Sequence, residues 1–150
     1  MARSQKDESL EFRRYLRRYS LKFDGDIDAA IIRMAIKMGE NIVVGGDFSP
    51  GTPVDEGIAR GSWYPALNGK PVGQSFGSIS KTGVVTMAAV EAGWRKGKAG
   101  DTFEVWTNTV YMPSLEYGHS KQAPRGMVRL TMRAGQLIAD QVVREMKSRG

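Results

Sequence analysis

Apolar residues recur at helical spacing in three stretches of the chain. The first predicts a helix that begins at the aspartates of 24–28 and ends near Gly39 or Gly45. Its apolar positions lie three or four residues apart on one core-facing stripe, and they are Ile27, Ile31, Met34, Ala35, Met38 and Ile42. The second predicts a helix over 82–96 that buries Val85, Ala88, Ala89 and Ala92. The third predicts a helix over 127–148 with a stripe of Leu130, Ala134, Leu137, Ile138, Val142 and Met146.

A β-hairpin is predicted between the first two helices. Residues 58–67 and 70–76 flank Asn68 and Gly69, the residue pair most typical of a two-residue hairpin turn. Both predicted strands contain a proline, Pro65 or Pro71, which lacks the N–H that a sheet ladder needs. We therefore expect the hairpin to lie at the edge of a sheet.

A third strand and two loops complete the pattern. Apolar and polar residues alternate over 102–107, which predicts a strand with Phe103 and Val105 on its buried face. Residues 45–57 are rich in glycine and proline, and residues 73–83 are rich in glycine and serine, as is typical of loops.

The order helix, hairpin, helix, strand, helix predicts the fold class. Because helices and strands do not alternate regularly, we expect an α+β fold in which a small antiparallel sheet packs against two or three helices. A chain of 150 residues fits one domain. We assign that domain to residues 24–150 and treat residues 1–23 as an extended basic N-terminal arm.

Charge distinguishes the arm from the rest of the chain. The net charge is +6, and residues 1–23 alone hold seven basic against three acidic residues. Phe12, Leu16 and Tyr19 recur at helical spacing, and the other face is basic: Arg13, Arg14, Arg17 and Arg18. One interpretation is an arm that binds an acidic partner, a neighbouring subunit or nucleic acid. The other is a solvated chain terminus.

Composition excludes several classes of protein. The chain has no cysteine, which excludes disulfides, thiolate nucleophiles and sulfur-ligated zinc. It has no apolar run of the roughly 18 residues that a membrane span needs, and its charged beginning lacks the apolar core of a signal peptide. We expect a soluble protein that is made inside the cell, with no cofactor and no membrane partner.

Aromatic residues are too numerous for a small sheet to cover. With three or four short strands, we expect some of them to lie at a partner surface, where aromatic residues are enriched. An alternative is a mixed core with a few exposed rings. The residues concerned are Trp63, Tyr64, Trp106, Tyr111 and Tyr117.

Candidate catalytic residues are few. His119 is the single histidine, with Glu116 and Ser120 near it in sequence, and residues adjacent in sequence rarely converge into a catalytic triad. A hydrolase is therefore the weakest of the alternatives, and we predict no enzymatic activity. Glu116 is better interpreted as an acid at a contact, where Lys121 or Arg125 pairs with it.

Three aspartates at alternate positions resemble the start of a calcium-binding loop. Such a loop needs glycine at its sixth position and glutamate at its twelfth. Starting from Asp24, those positions hold Ala29 and Ala35. We therefore predict that the aspartates cap the first helix and that no metal is bound.

Two motifs resemble one known family. The string TPVDEG at 52–57, followed by RGSW at 60–63, resembles the TPVDTG and R-x-SW element of the neck and tail-completion proteins of tailed bacteriophages. The stretch TNTVYMPSLEYGHSKQAPRGMVRLT at 107–131 resembles that family's LE-x-G-x-S-x-QAP-x-GM signature. The two occur in the family's order, whereas 1–23 and 73–83 have no part in the match. Glu56 departs from the pattern, because threonine is usual there.

The resemblance implies a structural protein of the virion, assembled in the host cytoplasm. It implies a homo-oligomeric ring of six copies at the head–tail junction, which completes the tail, contacts the head connector and tail proteins, and passes DNA through its lumen without sequence specificity. The candidate contact residues are Trp63, Tyr64, Tyr111, Glu116, Tyr117, His119, Gln122 and Pro124, with Arg13, Arg14, Arg17 and Arg18 of the arm. The rival interpretation, supported by the basic composition, is a small nucleic-acid-binding module.

Overall fold

A computed structural model describes Arg14, residues 27–72 and residues 79–149. The fold is α+β, as the sequence predicts, with a small antiparallel sheet and helices of very different lengths. In chain order the elements are α1 (Ile27–Val43), α2 (Ile58–Gly61), β1 (Tyr64–Leu67), β2 (Lys70–Pro71), α3 (Val84–Trp94), β3 (Phe103–Trp106), α4 (Met112–Glu116), α5 (Val128–Arg133) and α6 (Gly135–Arg149).

The sheet has three antiparallel strands in the order β2-β1-β3. Asn68 and Gly69 form the predicted turn, both with positive φ, and the Asn68 side chain bonds Asp101 and the N–H of Thr102. The hydrogen bond from Asn68, together with one from Lys98 N–H, lowers the pKa of Asp101. The turn therefore ties the hairpin to the start of β3.

The hairpin lies at the edge of the sheet, as predicted, through one of its two strands. Strand β2 is at an edge, but β1 is central despite Pro65. The carbonyl of Pro65 accepts a hydrogen bond from Val72 N–H, so Pro65 directs its backbone polar groups away from β3. Because the N–H of a strand residue points to the same side as its carbonyl, proline here costs no hydrogen bond to β3.

The core lies between α1, α3 and the sheet. Trp94 joins these layers: its Nε1 donates to the carbonyl of Ala66 at 3.1 Å, and its ring packs edge-on against Phe103. The buried residues of this cluster are Ile42, Val43, Ala59, Trp63, Met87, Val90, Trp94, Met112 and Met127. A second cluster joins α1 to α6 through Met34, Ala139 and Val142.

Helix α1 begins at Ile27, within the predicted 24–28 start, and carries the predicted stripe. It continues past Gly39 to Val43, and the absence of a side chain at Gly39 leaves room for the Trp94 ring. Asp28 lies in the first turn of the helix, as predicted, and its carboxylate accepts a hydrogen bond from Ala99 N–H at 2.7 Å, so it also holds the segment after α3. Asp24 and Asp26 lie outside the described residues.

Helix α3 forms as predicted but buries a different face. Val85, Ala88 and Ala92 are exposed, whereas the buried residues are Thr86, Met87, Val90, Gly93 and Trp94. The helix is apolar on nearly every side, so periodicity alone does not select the side that meets the core.

Two further element predictions need correction. Residues 58–61, predicted as strand, form the short helix α2. The single helix predicted over 127–148 is interrupted at Ala134, which separates α5 from α6. The predicted loop at 45–57 is confirmed. Residues 73–78, which belong to the predicted return strand and to the loop after it, lie outside the described residues.

Candidate functional site

Thr52 begins the TPVDEG motif and connects it to the core. The residue is fully buried; its hydroxyl donates to the carbonyl of Ile42 and accepts from Nε1 of Trp63, both at 2.8 Å. Its carbonyl accepts two hydrogen bonds from the Arg60 guanidinium, at 3.1 and 2.9 Å. Partial burial lowers the pKa of Arg60, which remains a cation. Residues 52–63 therefore form one hydrogen-bonded unit at the end of α1.

Glu116 holds the second motif together by hydrogen bonds to distant backbone groups, as Thr52 does for the first motif. Its carboxylate accepts hydrogen bonds from the N–H groups of Met127, Val128 and Arg129, each at 2.9 Å, and from Arg129 Nε at 3.0 Å. Burial alone raises the pKa of Glu116, but these hydrogen bonds outweigh it and leave the pKa below its ordinary value. Glu116 thus caps α5 from eleven residues away.

The partner of Glu116 differs from the prediction. The sequence suggested Lys121 or Arg125, which are nearer along the chain, but the ion pair is with Arg129. The turn between α4 and α5 brings the start of α5 back to the carboxylate. Gly126 permits this approach, because its φ is +84° and an added Cβ would collide with the Glu116 carbonyl.

Gln122 joins the two motifs directly. Its side-chain nitrogen donates to the carbonyl of Val54 at 2.7 Å, and its side-chain oxygen accepts from the N–H of Val54 at 2.9 Å. One amide side chain thus satisfies both backbone groups of a residue 68 positions away. We call this contact between 52–57 and 118–126 the loop junction.

A pocket of about 330 Å³ opens beside the loop junction. Its walls bring His119 and Ser120 to the same cavity as Asp55 and Glu56, which the sequence did not predict. The Ser120 hydroxyl accepts a hydrogen bond from Gln122 N–H at 3.2 Å, which is a turn contact. Among the described residues, no group of three or more histidine and acidic side chains is arranged to hold a metal ion.

Trp63 is not available as a contact residue. Only 5% of it is exposed, and it belongs to the main core cluster. Because a buried indole cannot touch another subunit, the assignment of Trp63 to an interface is wrong. Glu116 is likewise mostly covered, with 14% of its side chain exposed and its carboxylate bonded within the chain.

Other predicted contact residues do reach the surface. Tyr111, Tyr117, His119, Gln122 and Pro124 are exposed. The Arg129 guanidinium lies over the Tyr117 ring, 4.8 Å from its centre. On the outer face of the sheet, Tyr64 is half-buried and stacks on the exposed Trp106 with 6.2 Å between ring centres.

Sequence reasoning missed an apolar surface at the start of α3. Ile58, Ile79, Val84 and Val85 are each between 46 and 74% exposed. Ser80 N–H donates to the Gly57 carbonyl, so Ile58 and Ile79 lie on adjacent segments. We call these four residues the 58–85 apolar surface. Val110, which is 94% exposed, was also missed.

The arm is described only at Arg14, which is helical and exposed. Arg13, Arg17 and Arg18 lie outside the described residues. No helix in the described part of the chain is long and apolar enough to cross a bilayer.

Comparison with known proteins adds no relative. No protein-family model matches the chain, and no significant match was found among curated proteins or solved structures.

Proposed function

We propose that this chain is a structural protein of a tailed bacteriophage that assembles as a ring at the head–tail junction. In this role it completes the tail, contacts the head connector and the tail proteins, and lets DNA pass through its lumen. A ring of six copies is the expected assembly, located in the virion neck.

The loop junction is the observation that carries the proposal. The resemblance depends on two stretches far apart in sequence, and Gln122 holds one against the other through Val54. Thr52 and Glu116, which belong to those stretches, bond backbone groups of their own chain. These residues therefore determine the shape of the loops, which is the function that a joining protein requires of them.

The exposed apolar residues supply a surface for subunit contact. Ile58 and Tyr111 line the same pocket, so the 58–85 apolar surface continues into the aromatic region around Tyr111. Exposed apolar patches of this kind mark sites of protein association. In a closed ring each subunit uses two unlike faces, and we assign one of them to this continuous surface.

The assembly state tests the proposal. Light scattering and particle images of the purified protein should give closed rings whose mass is a multiple of 16.5 kDa. Where the free protein is monomeric, the same measurement is repeated with isolated head connectors. A chain that stays monomeric under both conditions and binds DNA with a steep salt dependence would be a nucleic-acid-binding module instead.

The pocket beside the loop junction gives the hydrolase alternative a direct test. It places His119 and Ser120 beside two acids. Virion yield that is unchanged in His119→Ala would remove the hydrolase alternative. Loss of infectivity with intact rings, together with an ester- or peptide-hydrolysing activity that the substitution removes, would favour the enzyme.

A further inference from the structure

The two outer edges of the sheet differ in character. Strand β2 has two residues, Lys70 and Pro71, and both are exposed. Lysine and proline on a short strand keep a further strand from adding to a sheet. Strand β3, at the other edge, has four residues and contains neither type. Of the two edges of the described sheet, the β3 edge is therefore the one open to an added strand.

The outer edge of β3 carries backbone groups that no described residue bonds. Val105 is paired with Pro65, whose carbonyl is directed to β2. In an antiparallel ladder such a pair is not hydrogen-bonded, so the N–H and carbonyl of Val105 point away from β1. Those of Phe103, two positions away, point the same way, whereas the Thr102 carbonyl accepts from Asn68 N–H on the β1 side. Two N–H groups and two carbonyls thus form a row along the free edge.

An apolar groove of about 590 Å³ lies beside this edge. Helix α1 lines it through Ile31, Ala35 and Met38, which are half-buried, and β3 lines it through Phe103 and Val105. Side chains of α5 complete the lining. The groove is therefore the space between α1 and the outer strand of the sheet.

The packing of the layers accounts for this space. Helix α3 packs on β1, and α1 packs on α3. Packed helices lie about 8 to 10 Å apart, which matches two spacings of roughly 4.8 Å between neighbouring strands. Helix α1 therefore lies over the position next to the outer edge of β3, and no described strand fills that position.

We propose that β3 accepts a strand from a partner protein by β-strand addition. The added backbone bonds Phe103 and Val105, and every second side chain of the added strand enters the groove under α1. Those side chains are apolar, since Asp101 is the one charged residue among the described residues that line the groove. Opposite charge favours a lysine or arginine at the end of the strand beside Asp101. The partner segment is thus extended, apolar at alternate positions and basic at one end.

A second copy of the chain does not supply this strand through its own β3. Pairing of two β3 edges places α1 of each copy over the β3 of the other. The two helices then lie one strand spacing apart, about 4.8 Å, although packed helices need about 8 to 10 Å between their axes. The occupant is therefore a different protein, and under the proposed function a connector or tail protein is in a position to supply the strand. The strand site itself does not depend on ring assembly.

Selection from a library of peptides of about ten residues, with the full chain as the target, tests the proposal. Peptides that bind should have apolar residues at alternate positions. They should slow hydrogen exchange at the N–H groups of Phe103 and Val105 by about tenfold or more. The N–H of Glu104, which faces β1, is the internal control and should change little. A library that yields no binder, or binders that leave both N–H groups unprotected, would overturn the proposal.

Backbone methylation of a selected peptide distinguishes an added strand from a ligand held by its side chains alone. Methylation of the peptide nitrogens that face β3 removes their hydrogen bonds, so the affinity should fall about tenfold or more. Methylation of the intervening nitrogens, which face away from β3, should leave the affinity unchanged. Equal losses from the two sets of methyl groups would contradict strand addition.

Two substitutions test the site from the side of the protein. Val105→Pro removes one N–H from the free edge and spares the ladder to β1, so it should abolish peptide binding. Met132→Asp, at a residue of the groove lining that is 62% exposed, should weaken binding about tenfold or more, and it decides the question if Val105→Pro does not fold. Leu137→Asp, at a residue that is 55% exposed outside the groove lining, is the matched control.

Peptide binding that survives Met132→Asp as well as it survives Leu137→Asp would place the peptide away from the groove and overturn the proposal. Ring assembly is measured separately by light scattering. A chain that binds the peptides through β3 but forms no rings would contradict the proposed function alone, whereas rings without a peptide site on β3 would contradict the strand site alone.

Discussion

The loop junction and the 58–85 apolar surface distribute their side chains in opposite ways. In the two motifs that meet at the junction, polar residues are buried or bonded within the chain: Thr52 is fully buried, and the Glu116 carboxylate accepts four hydrogen bonds. At the surface, Ile79 and Val84 are 74 and 67% exposed. Buried polar groups fix one loop conformation when every partner is present, whereas exposed apolar groups gain stability only by association. We infer that the bonded polar residues of the motifs maintain shape, while the exposed apolar residues make contacts.

The largest effect should come from Trp63, which is buried, and a much smaller one from Trp106, which is exposed. Trp63→Ala removes a core side chain and its hydrogen bond to Thr52, so we expect a loss of about 3 to 5 kcal/mol in unfolding free energy. Trp106→Ala is the matched control, since 46% of that residue is exposed and it stacks mainly on Tyr64; we expect about 1 kcal/mol. Urea unfolding measures both losses of unfolding free energy. Equal losses would contradict the distinction between a buried and an exposed tryptophan.

Next in size is the carboxylate that caps α5. Glu116→Ala leaves three backbone N–H groups without their acceptor, and we expect a loss of about 3 kcal/mol. Glu91→Ala is the control, because its ion pair with Arg95 is long, at 3.6 Å, and exposed, and such pairs contribute about 0.5 kcal/mol or less. If thermal or urea unfolding shows the same loss of unfolding free energy for both substitutions, Glu116 is not a structural cap.

The same carboxylate should make stability depend on pH in a defined direction. Its pKa in the folded chain lies below the ordinary value of 4.5, so the unfolded chain binds the proton first as the pH falls. The stabilising contribution is complete above pH 4.5 and is lost as the pH falls through the folded pKa. We expect Glu116→Gln to lack this acid-induced loss. Unfolding free energy is measured against pH for the natural protein and for Glu116→Gln. The difference between the two curves separates the contribution of Glu116 from those of the other carboxylates.

The fold was predictable where the signal was local. The Asn68 and Gly69 turn depends on positive φ at two adjacent residues, and the stripe of α1 depends on spacing within one helix. The buried face of α3 was not predictable, because apolar residues lie on nearly every side of it and only its tertiary neighbours decide which is covered. The same limit applies to 58–61, where four residues carry too little pattern to separate helix from strand.

The candidate site was predictable in its residues but not in their roles. Trp63 and Tyr111 are both aromatic, and composition does not reveal that one is buried and the other exposed. Glu116 forms its ion pair with Arg129 rather than Arg125. The chain reverses direction before α5, so the residue nearer in sequence is not the one nearer in space. The contact of Gln122 with Val54 spans 68 positions and has no signal in either loop alone.

A smaller effect is expected at the contact between the two motifs. Gln122→Ala removes two hydrogen bonds to Val54 at an exposed position, so we expect about 1 kcal/mol or less in global stability. Its main consequence should be local, as faster hydrogen exchange at the Val54 N–H. Gln136→Ala, at an exposed position on α6, is the control. If hydrogen exchange at the Val54 N–H is unchanged, contacts in the pocket wall, rather than Gln122, fix the conformation of the 52–57 loop.

The smallest effect on folding, and the sharpest test of the comparison, comes from paired substitutions at two helix starts. Val85 and Leu137 are 54 and 55% exposed, and each lies in the first turn of its helix. Aspartate there is favourable to the helix dipole, so Val85→Asp and Leu137→Asp should each change stability by less than about 0.5 kcal/mol. Only Val85→Asp introduces a charge into the 58–85 apolar surface.

If that surface is the subunit contact, light scattering should show that Val85→Asp prevents assembly while Leu137→Asp does not. Assembly that survives both would place the contact elsewhere on the molecule.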